Sequence, residues 1–216
     1  LLTWENPGPV SFADFNEYEI WRDNGTGFAL LDSVSNSAIN TFTDNTANGN
    51  SQSYAYYLVT QSGCTGQEDN GLNGNILNSI YLTTAGVIGQ ANLSWLPLST
   101  PLPATTVNGQ YNVYSTYNAA GTLQLIGDTV QLVYPQTIND CDTLINHQVT
   151  VDDSFGCISR SNVASNTYTF TGNIVANPDL RCISVLPNGQ IQLEWLTPSG
   201  SSDEFNEFEI FRNNGA

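Results

Sequence analysis

The sequence contains no lysine, no methionine and only one histidine, His147. Its basic residues are four arginines, Arg22, Arg160, Arg181 and Arg212, set against 20 acidic residues for a net charge of −16. So few cations exclude a nucleic-acid binder, which needs a basic surface to neutralise phosphates. They equally exclude docking on anionic lipid through a Lys/Arg cluster. No apolar run approaches the roughly 20 residues of a membrane-spanning helix, so direct insertion is not expected. There is no basic, apolar leader either. The chain opens in "LLTWEN" and closes after "FEIFRNNG", both strand-like, so each end reads as cut from a longer polypeptide. Any targeting signal or anchor is expected outside these residues.

Motifs that carry chemistry are equally scarce. No GxSxG, HExxH or phosphate loop occurs, and the four cysteines form no CxxC pair, which argues against a nucleophile elbow, a zinc site or a redox pair. No catalytic residue, metal ligand or cofactor is assigned. His147 sits in a strand and reads as core filler. The acidic pairs Asp152/Asp153 and Asp203/Glu204 could in principle serve glycoside hydrolysis, but they fall at strand ends and turns and read as solvated surface. Calcium is the more serious alternative. The segments "TDNTANGN" (43–50) and "NDCD" (139–142) are rich in oxygen donors, yet neither matches an EF-hand or nonapeptide loop. Turn formation by Asn, Asp and Gly accounts for both.

What the chain has in abundance is 26 Asn and 22 Thr, with 11% aromatic residues. Asn and Thr favour turns and strands over helix interiors, and the aromatics supply core anchors. The expectation is an all-β protein with many short loops.

An internal repeat organises it. Residues 14–25 read "DFNEYEIWRDNG" and residues 204–215 read "EFNEFEIFRNNG", identical at eight of twelve positions. Trp4, Trp95 and Trp195 recur 91 and 100 residues apart, each near a strand end. A period of roughly 90–100 residues is the size of a seven-stranded sandwich. Three units are expected: 1–83, lacking its first strand; 84–172; and 178–216, the beginning of a third. Period-2 alternation marks "NEYEIWR" (16–22), and strands are expected at 28–34, 40–44, 53–61 and 74–84 in unit 1. Unit 2 should follow with 92–96, 110–116, 123–128, 131–134, 145–151 and 162–170, and unit 3 with 181–186, 190–195 and 205–211.

The order of a Trp strand, a "YEIWR" strand, a Tyr-rich strand and a closing strand resembles the fibronectin type III sandwich. The resemblance implies that Trp4, Trp95 and Trp195 are core landmarks and that Tyr54 or Tyr56 is the landmark of the sixth strand. In unit 2 that place falls on Ile145 or His147, a departure. More narrowly, "YEIWR…FALLDSV…SYAYYLVT…GC…SIYL" and "INHQVTVDDSFGCISRSN" are similar to repeats in very large Bacteroidota surface proteins. Those are exported by the type IX secretion system and related to gliding adhesins. That resemblance implies an extracellular, cell-surface location. It also implies O-glycosylation at the Asp–Ser/Thr–apolar motifs, with Ser33, Thr129 and Thr143 as candidates.

The cysteine spacing suggests staples. Cys141 lies just before the strand leading to Cys157, so a hairpin return would pair them. Closing a loop of about 15 residues adds about 3 kcal/mol in the loop-entropy model. Cys64 and Cys182 are expected to pair with cysteines outside these residues.

Three functions compete. The first is a structural stalk or display segment of a giant secreted adhesin, its expected partners being neighbouring repeats, with glycans or other surface molecules as further candidates. The second is a spacer or carbohydrate-binding accessory module of a secreted polysaccharide-degrading enzyme. An outward aromatic such as Trp21 would favour it, although the period-2 position of Trp21 equally allows an inward ring. The third is an interaction domain that pairs edge strands with a partner.

Overall fold

The computed structural model describes residues 1–6, 14–64, 67–87, 89–117, 121–138, 144–168, 179–196 and 209–212. The described chain is built from strands, with one short 3-10 turn at Val107–Gly109.

The second unit shows the architecture most fully. Its strands are β8 (Tyr81–Val87), β9 (Gln90–Leu96), β10 (Tyr111–Thr116), β11 (Gln124–Thr129), β12 (Val133–Thr137), β13 (Leu144–Asp152), β14 (Ile158–Arg160) and β15 (Ala164–Thr167). One sheet runs β12-β9-β8 and the other β11-β10-β13, with both β14 and β15 paired to the far side of β13. All pairs are antiparallel. Three strands thus face five, β11 pairing with β10 at one edge while β14 and β15 lie end to end along the other, in the order of a fibronectin type III sandwich. Period-2 alternation drives the closure. Ala91, Leu93 and Trp95 of β9 face Tyr111 and Val113 of β10 and Ile145, Val149 and Val151 of β13, all buried. Trp95 meets Tyr111 edge to face at 5.4 Å.

The first unit repeats the pattern with β1 (Leu2–Thr3), β2 (Phe15–Asp23), β3 (Phe28–Val34), β4 (Thr41–Phe42), β5 (Ala55–Cys64), β6 (Gln67–Asn70) and β7 (Leu77–Asn78). The larger sheet runs β3-β2-β5, with β6 and β7 both on β5, while β1 pairs with β4. Trp4 meets Tyr18 edge to face at 5.5 Å, as Trp95 meets Tyr111 in unit 2. Matching Tyr18 to Tyr111 aligns the two units residue by residue. Even the bulges coincide: pairing slips between Ile20 and Trp21 in unit 1 and between Val113 and Tyr114 in unit 2.

The expected strand 74–84 is two strands in two sheets. Leu77–Asn78 pairs with Ala55–Tyr56 of unit 1, whereas Tyr81–Val87 pairs with Gln90–Leu96 and is the first strand of unit 2. The stretch reads as continuous β, and only the change of pairing partner at Ser79–Ile80 reveals the break. The expected 131–134 strand is shifted, to Val133–Thr137, and 162–170 is shortened to Ala164–Thr167 in the described residues. In unit 3, β16 (Asp179–Val185) and β17 (Ile191–Leu196) form a hairpin, with Trp195 half-buried opposite Leu180. The strand expected at 205–211 lies largely outside the described residues, and Glu209–Arg212 is irregular. In unit 1 the equivalent strand is held between β3 and β5.

Candidate functional site

Three places position side chains in a manner that sequence patterning alone would not require. The first is the junction between the sandwiches. After Asn78 closes unit 1, only Ser79 and Ile80 precede β8. Ile80 is 2% exposed and Leu77 packs against the same core, so unit 2 buries the connection itself. The Asn78 backbone N–H donates to Leu98 O at 2.7 Å, and its side-chain amide donates to Pro97 O and Leu98 O, each at 3.3 Å. On the other side Ser79 N–H donates to Tyr54 O at 2.8 Å and Ser79 Oγ accepts from Tyr54 N–H at 2.9 Å. Ser53 Oγ donates to Ser79 O. Asn78 is thus tied to both units at once, and Ser79 anchors the connection to unit 1. A shallow cleft beside them is lined by Asp23, Gly25, Ser53, Ala55, Asn78, Leu96 and Pro97.

The second place is a polar node at the inner edge of each core. In unit 1, Arg22 Nη1 donates to Asp44 Oδ2 at 2.7 Å, and the Tyr56 hydroxyl donates to the same oxygen at 2.9 Å. Asp44 Oδ1 accepts from Thr46 N–H at 2.8 Å, Thr46 Oγ1 at 2.8 Å and Ala47 N–H at 3.1 Å. The Arg22 guanidinium lies over the Tyr54 ring, 5.5 Å from its centroid. Burial pushes the Asp44 carboxyl up, but the donors Thr46, Arg22 and Tyr56 overcome it and hold the carboxyl at about 2. Burial raises the Tyr56 phenol, and the adjacent Asp44 raises it further. The loop 43–50, weighed for calcium, therefore spends its one carboxylate on an arginine and on its own turn.

In unit 2 the aligned positions are Ser115, Gln136 and His147. Gln136 Oε1 lies 2.8 Å from His147 Nε2, and Gln136 Nε2 donates to Ser115 Oγ at 3.1 Å. This network requires the Nε2–H tautomer, leaving Nδ1 bare, buried and without a hydrogen-bond partner among the described residues. Burial pushes the imidazole down to about 4. His147 is fully buried and is core, as its strand position implied.

The third place is the outward face of the larger sheet in unit 1. Directly opposed residues share a face. Tyr18, Ile20 and Arg22 point inward, so Glu17, Glu19, Trp21 and Asp23 point outward, beside Tyr57 and Val59 of β5 and Phe28 and Leu30 of β3. Trp21 and Tyr57 have parallel rings, 5° apart with centroids 5.9 Å apart, and Phe28 meets Tyr57 edge-on at 4.7 Å. The Trp21 indole N–H donates to Glu19 Oε2 at 3.0 Å.

The remaining candidates are scattered. Ser33 lies exposed on edge strand β3, opposite Glu19 on the outward side. Thr129 lies opposite Tyr111, toward the core side, half-buried, and its Oγ1 accepts from Gln131 N–H at 2.9 Å. The two motifs are one residue out of register and so face opposite ways. Thr143 and Cys141 lie outside the described residues, as do the 139–142 loop and Asp203/Glu204. Cys64, Cys157 and Cys182 are exposed, with no disulfide among them. Asp152 accepts from the Asn112 amide at 3.2 Å. Among the described residues no group of three or more His, Cys, Asp and Glu could hold a metal ion.

Sequence reasoning missed the junction residues Ser53, Asn78 and Ser79, and the partners Asp44 and Gln136. One signal was present: Arg22 has the parity of Tyr18 and Ile20, and an inward arginine demands a buried acceptor.

No known family's sequence pattern matches the chain, and no curated protein is similar to it. Among solved structures, the FN1–FN3 domains of chicken CNTN1 align at 10% identity with a TM-score of 0.33, over 77% of this chain and 61% of that one. The beta-1,2-glucanase from Parabacteroides distasonis aligns at 10% identity with a TM-score of 0.36, over 74% of this chain and 28% of that one. Such scores are too low to carry functional meaning, and the sandwich assignment rests on the strand order itself.

Proposed function

We propose that these residues are a stalk or display segment of a large secreted cell-surface adhesin, with each sandwich contributing length and stiffness. The supporting observation is the junction. Ser79 and Ile80 alone separate the sandwiches; Asn78, in the last strand of unit 1, bonds across to unit 2, and Ser79 bonds back to unit 1. A joint of this kind holds successive units in one relation, as a rod needs and a flexible linker of Gly and Ser does not. The surface suits export. Lysine is absent, and of the four arginines Arg22 is committed to an internal ion pair, leaving few sites for trypsin-like proteases. Exposed Ser33 is the most accessible of the proposed O-glycosylation sites. A Cys141–Cys157 staple and outside partners for Cys64 and Cys182 fit an oxidising location. Gliding association and type IX export follow from the sequence resemblance alone.

The test is to shave intact producing cells with chymotrypsin and identify the released peptides by mass spectrometry, while sizing the parent polypeptide. Release of these peptides from a parent several times longer than 216 residues is the expected result. Peptides confined to the culture fluid, from a parent that cleaves polysaccharide, would overturn the reading in favour of the enzyme-spacer alternative.

A further inference from the structure

The outward face of unit 1 differs from the rest of the chain in both charge and aromatic content. Residues 1–80 carry nine acidic residues and one basic residue, Arg22, a net −8 and half of the total −16. That single cation is turned inward and paired with Asp44 at 2.7 Å. The outward face therefore holds Glu17, Glu19 and Asp23 with no cation beside them, set around Trp21, Tyr57 and Phe28. Glu19 is only 8% exposed, and its carboxylate is anchored by the Trp21 indole N–H.

The fold does not demand this arrangement. In unit 2 the aligned outward positions are Asn112 for Glu19, Tyr114 for Trp21, Thr116 for Asp23, Gln148 for Tyr57 and Thr150 for Val59. That face carries Asp128, Asp152 and Arg160, so its acids have a cation among them, and it lacks the Trp–Tyr pair, yet the sandwich closes equally well.

We propose that the outward face of unit 1 is a docking surface for a cationic, arginine- or lysine-bearing segment of a partner protein. A guanidinium or ammonium over the Trp21 and Tyr57 rings gains cation–π attraction, and the adjacent carboxylates reinforce it. A neutral sugar would stack on the rings and donate hydroxyls to the carboxylates, but it would leave their negative charge unanswered. A second copy of this chain would bring repulsion, because its own surface is strongly acidic. The site goes beyond the stalk reading, and its failure would leave that reading standing.

The test uses the whole 216-residue chain, with fluorescently labelled octa-arginine as the probe and anisotropy as the readout. Binding is expected, weakening as salt is raised. Trp21→Leu should weaken it about fivefold, whereas Tyr114→Leu, on the matching face of unit 2, should leave it unchanged. Should Trp21→Leu lose its native circular dichroism, Glu19→Gln keeps an acceptor for the indole and should still weaken binding about threefold. Absence of binding, or equal effects of the unit 1 and unit 2 variants, would overturn the proposal. Binding of neutral cellohexaose that is lost in Trp21→Leu would also overturn it and assign the face to glycans.

Discussion

His147 occupies in the second sandwich the place that Tyr56 occupies in the first. Tyr56 lies opposite Arg22 and His147 opposite Ser115 in the same register. Around them Asp44 corresponds to Gln136, each two residues beyond an aromatic, Phe42 or Tyr134, that pairs with the Trp strand. One core edge is closed by an ion pair and a phenol, the other by an amide and a neutral imidazole. Each set is matched within itself, so exchanging a single member would leave a buried polar group unpaired.

The two nodes should respond differently to acid. His147 titrates at about 4 when folded and at about 6.5 when unfolded. Between these values the unfolded chain binds a proton that the folded chain refuses, so stability falls as pH falls. Unit 2 should lose about 2 kcal/mol by pH 5 and about 3 kcal/mol by pH 4. In unit 1 the depressed Asp44 carboxyl contributes stability above about pH 4 and loses it only as pH falls toward 2. Urea titrations at pH 7 and pH 5, read from the amide NMR signals of each unit, should show unit 2 weakening first. Equal weakening of both units would refute this ordering.

Asp44→Ala should destabilise unit 1 by about 3 kcal/mol, because Arg22 is left charged without its partner. The double variant Arg22→Ala/Asp44→Ala should cost less than the two single changes combined. Urea denaturation of the four proteins at neutral pH gives the coupling directly, and additive costs would show the pair to be energetically idle.

Asn162 ties the first strand of unit 2 to the segment after β14. Its Oδ1 accepts from Leu82 N–H at 2.7 Å, and its Nδ2 donates to Leu82 O at 3.0 Å. Asn162→Ala should cost about 2 kcal/mol and speed amide exchange in Tyr81–Val87 more than in Tyr111–Thr116. Uniform acceleration across unit 2 would contradict a local role.

Asn78→Ala removes the side-chain bonds to Pro97 and Leu98. Neither sandwich should lose more than about 1 kcal/mol. The joint should loosen instead, broadening the distance distribution in small-angle X-ray scattering, and a Gly-Ser-Gly insertion after Ser79 should broaden it further. An unchanged distribution for both variants would mean that these contacts do not set the joint.

Much of the fold was legible along the chain. Alternation in "NEYEIWR" marks a strand and makes Tyr18, Ile20 and Arg22 share a face, because side chains in a strand alternate with period 2. The recurrence of Trp4, Trp95 and Trp195 exposes the tandem units. The division of 74–84 was not legible: both halves are good strand sequence, and which sheet each joins depends on partners elsewhere in the chain. Nor was the outward setting of Trp21, since alternation groups residues by face without saying which face meets the other sheet.

The sequence by itself determined the fold class, the repeat and the absence of recognisable catalytic motifs, because composition, local periodicity and motif spacing are properties of neighbouring residues. Tertiary structure alone decided that Asp44 meets Arg22, that Gln136 meets His147, and that Asn78 and Ser79 lock two sandwiches together. Each of those contacts joins segments 11 to 25 residues apart. Such contacts form only when β-pairing and core closure bring the strands into register, which no local pattern encodes.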